Sequence, residues 1–362
     1  MGLDIAGRYR YPSPNQRWLD QRVEEILEPG LPIVDAHHHL WNEPDNCYLL
    51  NDFAADVGTG HNIVASVFVQ CQYSYRESGP LHLRPVGETE QIELMHREAL
   101  SPYAESRLCG GIVAFADLLE KDLLDEVLDA HLTASPLHFC GVRQSVARDS
   151  HFPAGIVLRP APAGMLSDRT FRQGVRKVAN RNLPFDAMLY HEQIPELTAL
   201  AREVEEATII LDHFGTPLGV GYYREREQDT FATWRRDIME LAKCPNVHVK
   251  MGGLGMIITG AEYHLRNMPP TSSDLAAKWG PYFDVCIEAF GTRRCLFESN
   301  FPVDKAMYSY GVLWNAFKRL TAGASAAEKG DLFMGTASRL YRLALTQPAL
   351  KSSSASAMMR LR

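Results

Sequence analysis

The chain has 362 residues, of which 46% are hydrophobic and 22% charged, and its formal net charge is −7 at pH 7. This balance is typical of a globular protein with a large core and excludes a disordered or fibrous chain. A mildly acidic chain has no broad positive field for a phosphate backbone or an anionic lipid surface. Nucleic acid and membrane are therefore excluded as expected partners. A small-molecule substrate is expected instead, and the composition is compatible with a homo-oligomer.

The cysteines and the amino terminus indicate where the protein works. The seven cysteines are scattered and form no C-x-x-C pair, as in proteins of a reducing compartment. The amino terminus has no apolar signal-peptide region, and no apolar run of the chain is long enough to span a bilayer. We therefore expect a soluble, cytoplasmic protein.

Three segments are predicted along the chain. Residues 1–30 are interpreted as a helical extension, in which Ser13 caps a helix that starts at Pro14 and Pro29-Gly30 ends it. Residues 31–346 are predicted to form one catalytic domain. Residues 347–362 contain a Ser-Ser-Ser-Ala-Ser run and are predicted to be a flexible, frayed tail.

Within the central domain, short β-branched or apolar runs alternate with longer amphipathic stretches. This alternation is typical of parallel strands joined by crossover helices. Strands are predicted at Ile33–Leu40, Val64–Gln70, Cys109–Ala116, Phe139–Ser145, Phe185–Tyr190, Thr208–His213, Val247–Met251 and Cys295–Asn300. Helices are predicted at Glu88–Leu100, Leu118–Leu132, Ser167–Arg181, Gln193–Glu206, Phe231–Ala242, Ser272–Phe290, Gly311–Leu320 and Lys329–Leu343. Eight such units predict a single-domain (β/α)₈ TIM barrel, whose chemistry lies at the carboxyl ends of the strands.

The first predicted strand ends in a histidine cluster, Asp35-Ala36-His37-His38-His39. Side chains alternate along a strand, so Asp35, His37 and His39 are expected to share the inner face while His38 points outward. Two imidazoles spaced by one residue can converge on a single divalent ion. We interpret His37 and His39 as metal ligands.

Two further histidines end strands of the predicted barrel. His213 follows the apolar run Ile209-Ile210-Leu211 and is expected to share its inward face with Ile209 and Leu211. It could complete a three-histidine metal site or act in catalysis. His191 ends the fifth strand, where it could be a ligand, a catalytic donor to the substrate or only a helix-capping residue.

Polar residues at other strand ends are candidates for substrate binding. Arg143 can present a planar fork to a carboxylate, so the expected substrate is anionic, although an ion pair within the fold would explain the same residue. Gln70 and Lys250 end the second and seventh strands and could reach the substrate. For both, satisfying the core is the more common role.

Taken together, these motifs resemble the amidohydrolase-related (β/α)₈ hydrolases that include 2-pyrone-4,6-dicarboxylate lactonase and L-fuconolactonase. The resemblance runs from Asp35-Ala36-His37-His38-His39 through Gly141-Val142-Arg143 and Leu211-Asp212-His213-Phe214-Gly215 to Ser299-Asn300-Phe301-Pro302. It implies that His37, His39 and His213 belong to the active site and that water attacks a carbonyl, often that of a lactone. The implied cofactor is a divalent metal, with zinc favoured, although similar lactonases include members that work without an ion.

One position departs from the family pattern. Where the family has Ser-Asp-Trp-Pro, this chain has Ser299-Asn300-Phe301-Pro302, so the aspartate that accepts a proton from water is missing. Asn300 is then expected to bind substrate. Glu298 is the preferred replacement acid–base group because a strand positions it, with Asp304 on the following loop as the alternate. Glu298 could also be only a buried partner for a histidine or lysine.

Two other functions compete with lactone hydrolysis. A carbon–carbon lyase that decarboxylates an aromatic acid would use the same kind of barrel. A non-catalytic ligand-binding barrel is suggested only by Asn300, and the carboxylates of Glu298 and Asp304 argue against it.

Overall fold

The computed structural model describes residues 12–43, 46–100, 106–151 and 160–345, so the predicted tail at 347–362 lies outside the described residues. Its strands, in chain order, are β1 Pro32–His38, β2 Trp41–Glu43, β3 Asn46–Tyr48, β4 Asn62–Val69, β5 Arg107–Ala114, β6 Phe139–Ser145, β7 Phe185–Met188, β8 Ile209–Leu211, β9 Val247–Met251 and β10 Cys295–Phe297. Eight of them form one parallel sheet in the order β1, β4, β5, β6, β7, β8, β9, β10. The predicted eight strands are confirmed.

The sheet closes on itself next to the histidine motif. Beyond β10, Phe301 forms a parallel bridge with His38, and the His39 N–H donates to the Phe301 carbonyl at 2.7 Å. The Asn300 N–H donates to the His37 carbonyl at 2.9 Å. The barrel therefore closes between β1 and the segment that contains Asn300, the position at which the family has an aspartate.

Helices surround the barrel as the alternating pattern predicts. They are α1 Gln16–Leu19, α2 Leu50–Val57, α3 Val86–Ala99, α4 Leu124–Ala134, α5 Arg169–Asn180, α6 Ile194–Glu203, α7 Glu227–Leu241, α8 Ser272–Phe290, α9 Tyr310–Leu320, α10 Ala326–Gly330 and α11 Thr336–Leu340. Together with the closed sheet they confirm the predicted (β/α)₈ TIM barrel. The predicted last helix is divided, because a wider turn over Asp331–Gly335 separates α10 from α11. None of the described helices combines the length and apolar character that crossing a membrane requires.

The described part of the amino-terminal extension packs on the barrel but differs from its prediction. The helix begins at Gln16, and Asn15 caps it by accepting from the Trp18 N–H, so the prediction that Ser13 caps a helix starting at Pro14 is wrong. Trp18 Nε1 donates to the Arg266 carbonyl at 2.9 Å. This bond ties the extension to the loop after β9.

A β-bulge in β1 changes which side chains face the barrel interior. Asp35 pairs with Ser66 and His38 with Phe68, so three steps on β1 match two on β4. Asp35 consequently points away from the interior, accepting from Tyr310 Oη at 3.0 Å and from the Ser299 N–H at 2.8 Å. The prediction that Asp35 shares a face with His37 is wrong, because strict alternation does not hold through a bulge.

The amino-terminal end of the barrel is filled by the last described segment, which includes Ala337 and Tyr341. Ala337 and Tyr341 pack with interior residues of the strands, including Val34, Val67 and Leu296. Arg107, at the start of β5, donates to the Ala344 carbonyl, which holds this segment across the strand starts. Tyr341 thereby reaches the interior from the side opposite the histidines.

Candidate active site

A buried cluster of titratable side chains lies at the carboxyl ends of the strands. Its members point inward from six strands or from the residues that follow them: His37, His39, Arg143, Asp186, Asp212, His213, Lys250 and Glu298. Predicted candidates His37, His39, His213, Arg143, Lys250 and Glu298 are among them. The sequence reading missed the roles of Asp186 and Asp212, although an aspartate inside an apolar strand such as Phe185-Asp186-Ala187 is a recognisable signal.

His37 and His39 face each other through their Nε2 atoms, which are 3.1 Å apart. The His39 Nδ1–H donates to the Val69 carbonyl at 2.7 Å, which leaves a lone pair on His39 Nε2. Burial lowers the pKa of both imidazoles well below the usual value. The positive charge of Lys250 lowers the pKa of His37 further, and that of Arg143 lowers the pKa of both rings. Both rings are therefore neutral at pH 7.

His213 is placed inward by an unusual backbone rather than by strand alternation. Ile209 and Leu211 pack in the main hydrophobic core, and Ile210 packs in the barrel interior, so the predicted shared face with Ile209 and Leu211 is wrong. His213 has a left-handed φ of 54°, and so does the next residue, Phe214, at 55°. This turn returns the His213 ring to the cluster, with its centroid 4.7 Å from that of His37.

The Glu298 carboxylate contacts two of the histidines, His213 and His37. Its Oε1 accepts from His213 Nδ1 at 2.6 Å, and its Oε2 lies 3.0 Å from His37 Nδ1. Burial opposes a charge on His213, but the Glu298 carboxylate outweighs burial, so the pKa of His213 lies above its usual value. Glu298 thus has the geometry of a buried partner for histidines, the alternative role considered for it.

Lys250 is a fully buried ammonium with three close partners. Its Nζ donates to Asp186 Oδ2 at 2.6 Å and lies 3.1 Å from both Asp212 Oδ1 and His37 Nδ1. Burial opposes its charge, but the two aspartates outweigh burial and raise the pKa of Lys250. Asp186 also accepts from Tyr341 Oη at 2.7 Å.

Arg143 and Gln70 meet at the ends of β6 and β4. Arg143 Nη2 donates to the backbone carbonyl of Gln70, and Nη1 lies 3.3 Å from His37 Nε2. Arg143 Nε is buried and has no hydrogen-bond partner within the described ranges. Through its carbonyl, Gln70 therefore holds the arginine that was predicted to bind an anion.

Asn300 and Asp304 form a separate group next to the cluster. The Asn300 Nδ2 donates to Asp304 Oδ1 at 2.9 Å, and Asp304 Oδ2 accepts from Tyr308 Oη at 2.5 Å and from the Gly255 N–H at 3.0 Å. Burial raises the pKa of Asp304 to about 7, although these donors oppose the shift. Three donors occupy this carboxyl group, and its partners connect the loops after β9 and β10.

His191 lies on a short turn after β7 and is fully buried. Its Nδ1 accepts from the Leu218 N–H at 3.4 Å, its ring packs edge-on against Tyr223, and its Nε2 lies 3.5 Å from Glu192 Oε1. Burial lowers the pKa of His191 to about 4. None of its contacts among the described residues is with His37, His39 or His213.

The chemistry of the donor set fits a divalent metal. Ligand atoms of His37, Asp212 and His213 lie within 4.8 Å of one another, and neither buried Asp212 oxygen forms a hydrogen bond within the described ranges. Metal-binding histidines usually hold their second ring nitrogen against an oxygen atom. His39 does so with Val69 and His213 with Glu298, so imidazole and carboxylate donors of the kind zinc prefers are present.

Comparison with known proteins identifies the family of this chain. The amidohydrolase family model matches residues 34–343. The chain is 31% identical over 327 residues to the L-fucono-1,5-lactonase of Burkholderia multivorans, covering 88% of this chain and 98% of that protein. It is 27% identical over 292 residues to the L-fucono-1,5-lactonase of Burkholderia ambifaria, covering 77% of this chain and 83% of that protein.

Solved structures show the same fold. A crystal structure of an amidohydrolase from Burkholderia multivorans with bound zinc has a TM-score of 0.65 and 22% identity, and the match covers 86% of this chain and 99% of the other. The match of the family model over almost the whole barrel, together with the 31% identity to a relative, shows that this chain belongs to the amidohydrolase family of hydrolytic enzymes.

Proposed function

We propose that this enzyme opens a lactone or a related cyclic ester of a small organic acid by water attack on the ring carbonyl. The observation that carries the proposal is the buried His213–Glu298 pair, 2.6 Å apart, next to the His37–His39 pair. The relatives named L-fucono-1,5-lactonase support this substrate class. Lactone hydrolysis needs a group that accepts a proton from water and groups that polarise the carbonyl.

The proton acceptor in this proposal is His213. When its Nδ1–H donates to Glu298, Nε2 retains the lone pair that can take a proton from water. The Glu298 carboxylate then stabilises the imidazolium that forms, as the carboxylate of a histidine–carboxylate pair does in hydrolases. The family has an aspartate at the position of Asn300. Glu298, acting through His213, takes over the function of that aspartate from a different position.

Arg143 is proposed to bind the anionic group of the substrate. Its guanidinium is held at one end by the Gln70 carbonyl, while Nε has no partner among the described residues. A planar fork fixed at one end presents its remaining N–H groups in a defined direction, which favours a carboxylate. His39 and Arg143 would together orient the ring so that its carbonyl faces His213.

With a metal bound, the proposed ligands are His37, His39 and Asp212, which leaves His213 Nε2 free to take the proton from water. His213 could be a ligand only in place of that role, because its Nδ1 is bonded to Glu298 and Nε2 has one lone pair. A bound divalent ion, with zinc favoured by this donor set, would act as a Lewis acid on the carbonyl or lower the pKa of water. Lys250 is proposed to orient Asp212 and His37 and not to contact the substrate, because its three close partners match the three N–H groups of an ammonium.

The test is an acid-release assay on five- and six-membered lactones, including L-fucono-1,5-lactone and 2-pyrone-4,6-dicarboxylate, with and without added Zn²⁺. We expect hydrolysis of at least one lactone and a fall in kcat/KM of about 10²- to 10⁴-fold for His213→Asn. His82→Asn is the matched control, because His82 lies away from the cluster and pairs with Glu126. Carbon dioxide release from aromatic acids without lactone hydrolysis would instead identify a lyase, and binding of these compounds without turnover would identify a non-catalytic barrel.

A further inference from the structure

A tyrosine, an aspartate and a lysine form the same arrangement twice in the described part of the chain. Inside the barrel, Asp186 Oδ2 accepts from Tyr341 Oη at 2.7 Å and from Lys250 Nζ at 2.6 Å, and Nζ lies 5.5 Å from the centre of the tyrosine ring. A second group outside the barrel has nearly the same geometry, so a comparison of the two separates the role of this arrangement in folding from its role in the site.

The second group lies outside the barrel, between the β2–β3 hairpin, α2 and the loop after β10. Asp56 Oδ2 accepts from Tyr48 Oη at 2.6 Å and from Lys305 Nζ at 2.6 Å, and Nζ lies 5.1 Å from the ring centre. The Lys305 side chain has no other described polar contact. The outer arrangement therefore serves packing between loops, whereas the interior arrangement also contacts the histidine cluster.

The interior lysine continues into the histidine cluster and meets a competitor there. Lys250 Nζ and Glu298 Oε2 both approach His37 Nδ1, at 3.1 Å and 3.0 Å. The Lys250 ammonium can only donate to that nitrogen. The ionised Glu298 carboxylate can only accept a hydrogen bond from it. His37 Nδ1 can therefore satisfy one of these partners at a time.

Each choice fixes the hydrogen on the opposite side of the ring. If Lys250 donates to Nδ1, the hydrogen of neutral His37 lies on Nε2 and can donate to His39 Nε2 at 3.1 Å. If Glu298 accepts from Nδ1–H, Nε2 carries a lone pair, which can accept from Arg143 Nη1 at 3.3 Å; Arg143 therefore acts with Glu298 in favour of this tautomer. Only the second tautomer can ligate a metal through Nε2, and the change between them moves one hydrogen within His37 without net proton uptake.

We infer that Lys250 is an internal cation that competes with a divalent metal for the His37–Asp212 side of the site, and that Glu298 favours the metal. The inference rests on the ligands assigned under the proposed function. In the metal-free state, Lys250 contacts Asp212 Oδ1 and His37 Nδ1, and the ammonium is also held by Asp186, which in turn accepts from Tyr341. Metal binding requires Lys250 to release His37, which then turns to Glu298.

The direct test reads the tautomer of His37 in the full-length protein by ¹⁵N NMR of its histidine rings, with His37→Gln used to assign the signal. After metal removal by a chelator, we expect hydrogen on Nε2. After addition of Zn²⁺ alone, we expect hydrogen on Nδ1. Hydrogen on Nδ1 in both states would overturn the inference.

A second test measures Zn²⁺ affinity by competition with a chromophoric chelator. Glu298→Gln should weaken binding by about 10- to 100-fold, as loss of a partner behind a ligand usually does. Lys250→Met should tighten it by about tenfold or more, because a positive charge close to the ligands is removed. General damage to the fold would weaken both, so opposite signs identify the competition.

Two variants keep this test decisive. Tyr341→Phe retains every charge and should also tighten Zn²⁺ binding, by a smaller factor, which covers the case in which Lys250→Met does not fold. Lys305→Met removes the lysine of the outer group and should leave the affinity unchanged. Equal affinities for the wild type, Lys250→Met and Tyr341→Phe, or no Zn²⁺ binding by any of them, would overturn the inference.

Lactone turnover is recorded separately on the same preparations. Turnover without the tautomer change overturns this inference and leaves the proposed hydrolysis standing. The tautomer change without turnover on any lactone overturns the proposed hydrolysis and leaves the competition standing.

Discussion

At the floor of the barrel, where the strands begin, half-buried side chains donate to backbone carbonyls, whereas at the mouth, where the strands end, most of the buried polar side chains contact one another. Arg294 donates from its guanidinium to five carbonyls at the ends of α7 and α8 and at the start of β9: those of Ala242, Cys244, Val247, Ala289 and Phe290. Asn246 Nδ2 likewise donates to the carbonyls of Ala201, Val204 and Ala207 after α6. These donors complete helix ends whose carbonyls have no partner within the helix.

The mouth leaves polar atoms unsatisfied. Among the described residues, buried atoms without a hydrogen bond include both Asp212 oxygens, Asp186 Oδ1, Glu298 Oε2 and Arg143 Nε. A protein retains such a cluster where function requires it, because each buried polar atom without a hydrogen bond costs stability. The comparison indicates that the floor is built for stability and the mouth for chemistry.

The largest effect on folding is expected at the floor. Arg294→Met leaves five carbonyls without their donor and should lower the free energy of unfolding by about 3 kcal/mol or more. The rate per folded molecule should stay near that of the wild type, because Arg294 has no described contact with the histidine cluster. Urea unfolding followed by active-site-normalised kinetics measures both. A large loss of kcat in a fully folded Arg294→Met protein would contradict the division between floor and mouth.

Stability should depend on pH through the buried carboxyl group of Asp304 at the mouth. Burial raises its pKa from the usual 3.8 to about 7, so between these values the folded state retains a proton that the unfolded state releases. This group's contribution to stability is therefore complete below about pH 4 and is lost as pH rises to about 7, with a slope of at most about 1.4 kcal/mol per pH unit. Asp304→Asn should flatten this part of the curve. Parallel curves for the two proteins would show that Asp304 is ionised throughout.

A smaller effect is expected for the anion-binding role of Arg143. Arg143→Lys keeps the charge but loses the planar fork, so KM for an acidic lactone should rise about tenfold while kcat changes less. A neutral lactone of the same ring size should show a smaller rise. Equal KM changes for both substrates would return Arg143 to a structural role.

Much of the fold could be predicted because the periodicity of apolar residues in the sequence indicates which side chains are buried. The eight strands were found within a few residues of their bounds, and Phe139–Ser145 and Val247–Met251 were found without error. The β2–β3 hairpin and α2 were missed, because strands of three residues and a helix of eight carry little pattern.

The site was harder to predict because local backbone exceptions decide it. Alternation misplaced Asp35 at the bulge and gave the wrong reason for the inward direction of His213, which depends on a left-handed φ. The Tyr341–Asp186 contact joins residues 155 positions apart, and no local pattern indicates it. The contact between Glu298 and His213, 85 positions apart, is of the same long-range kind.

The central claim is that His213, supported by Glu298, carries the proton that the missing aspartate would have taken. Its most direct test compares lactone turnover against pH for Glu298→Gln and Asp304→Asn, each first shown to retain the fold by thermal unfolding. The account predicts that Glu298→Gln loses about 10²-fold or more in kcat and shifts the limb of the pH profile that His213 controls, while Asp304→Asn keeps both. A folded Glu298→Gln enzyme with wild-type kcat and an unshifted profile would contradict it.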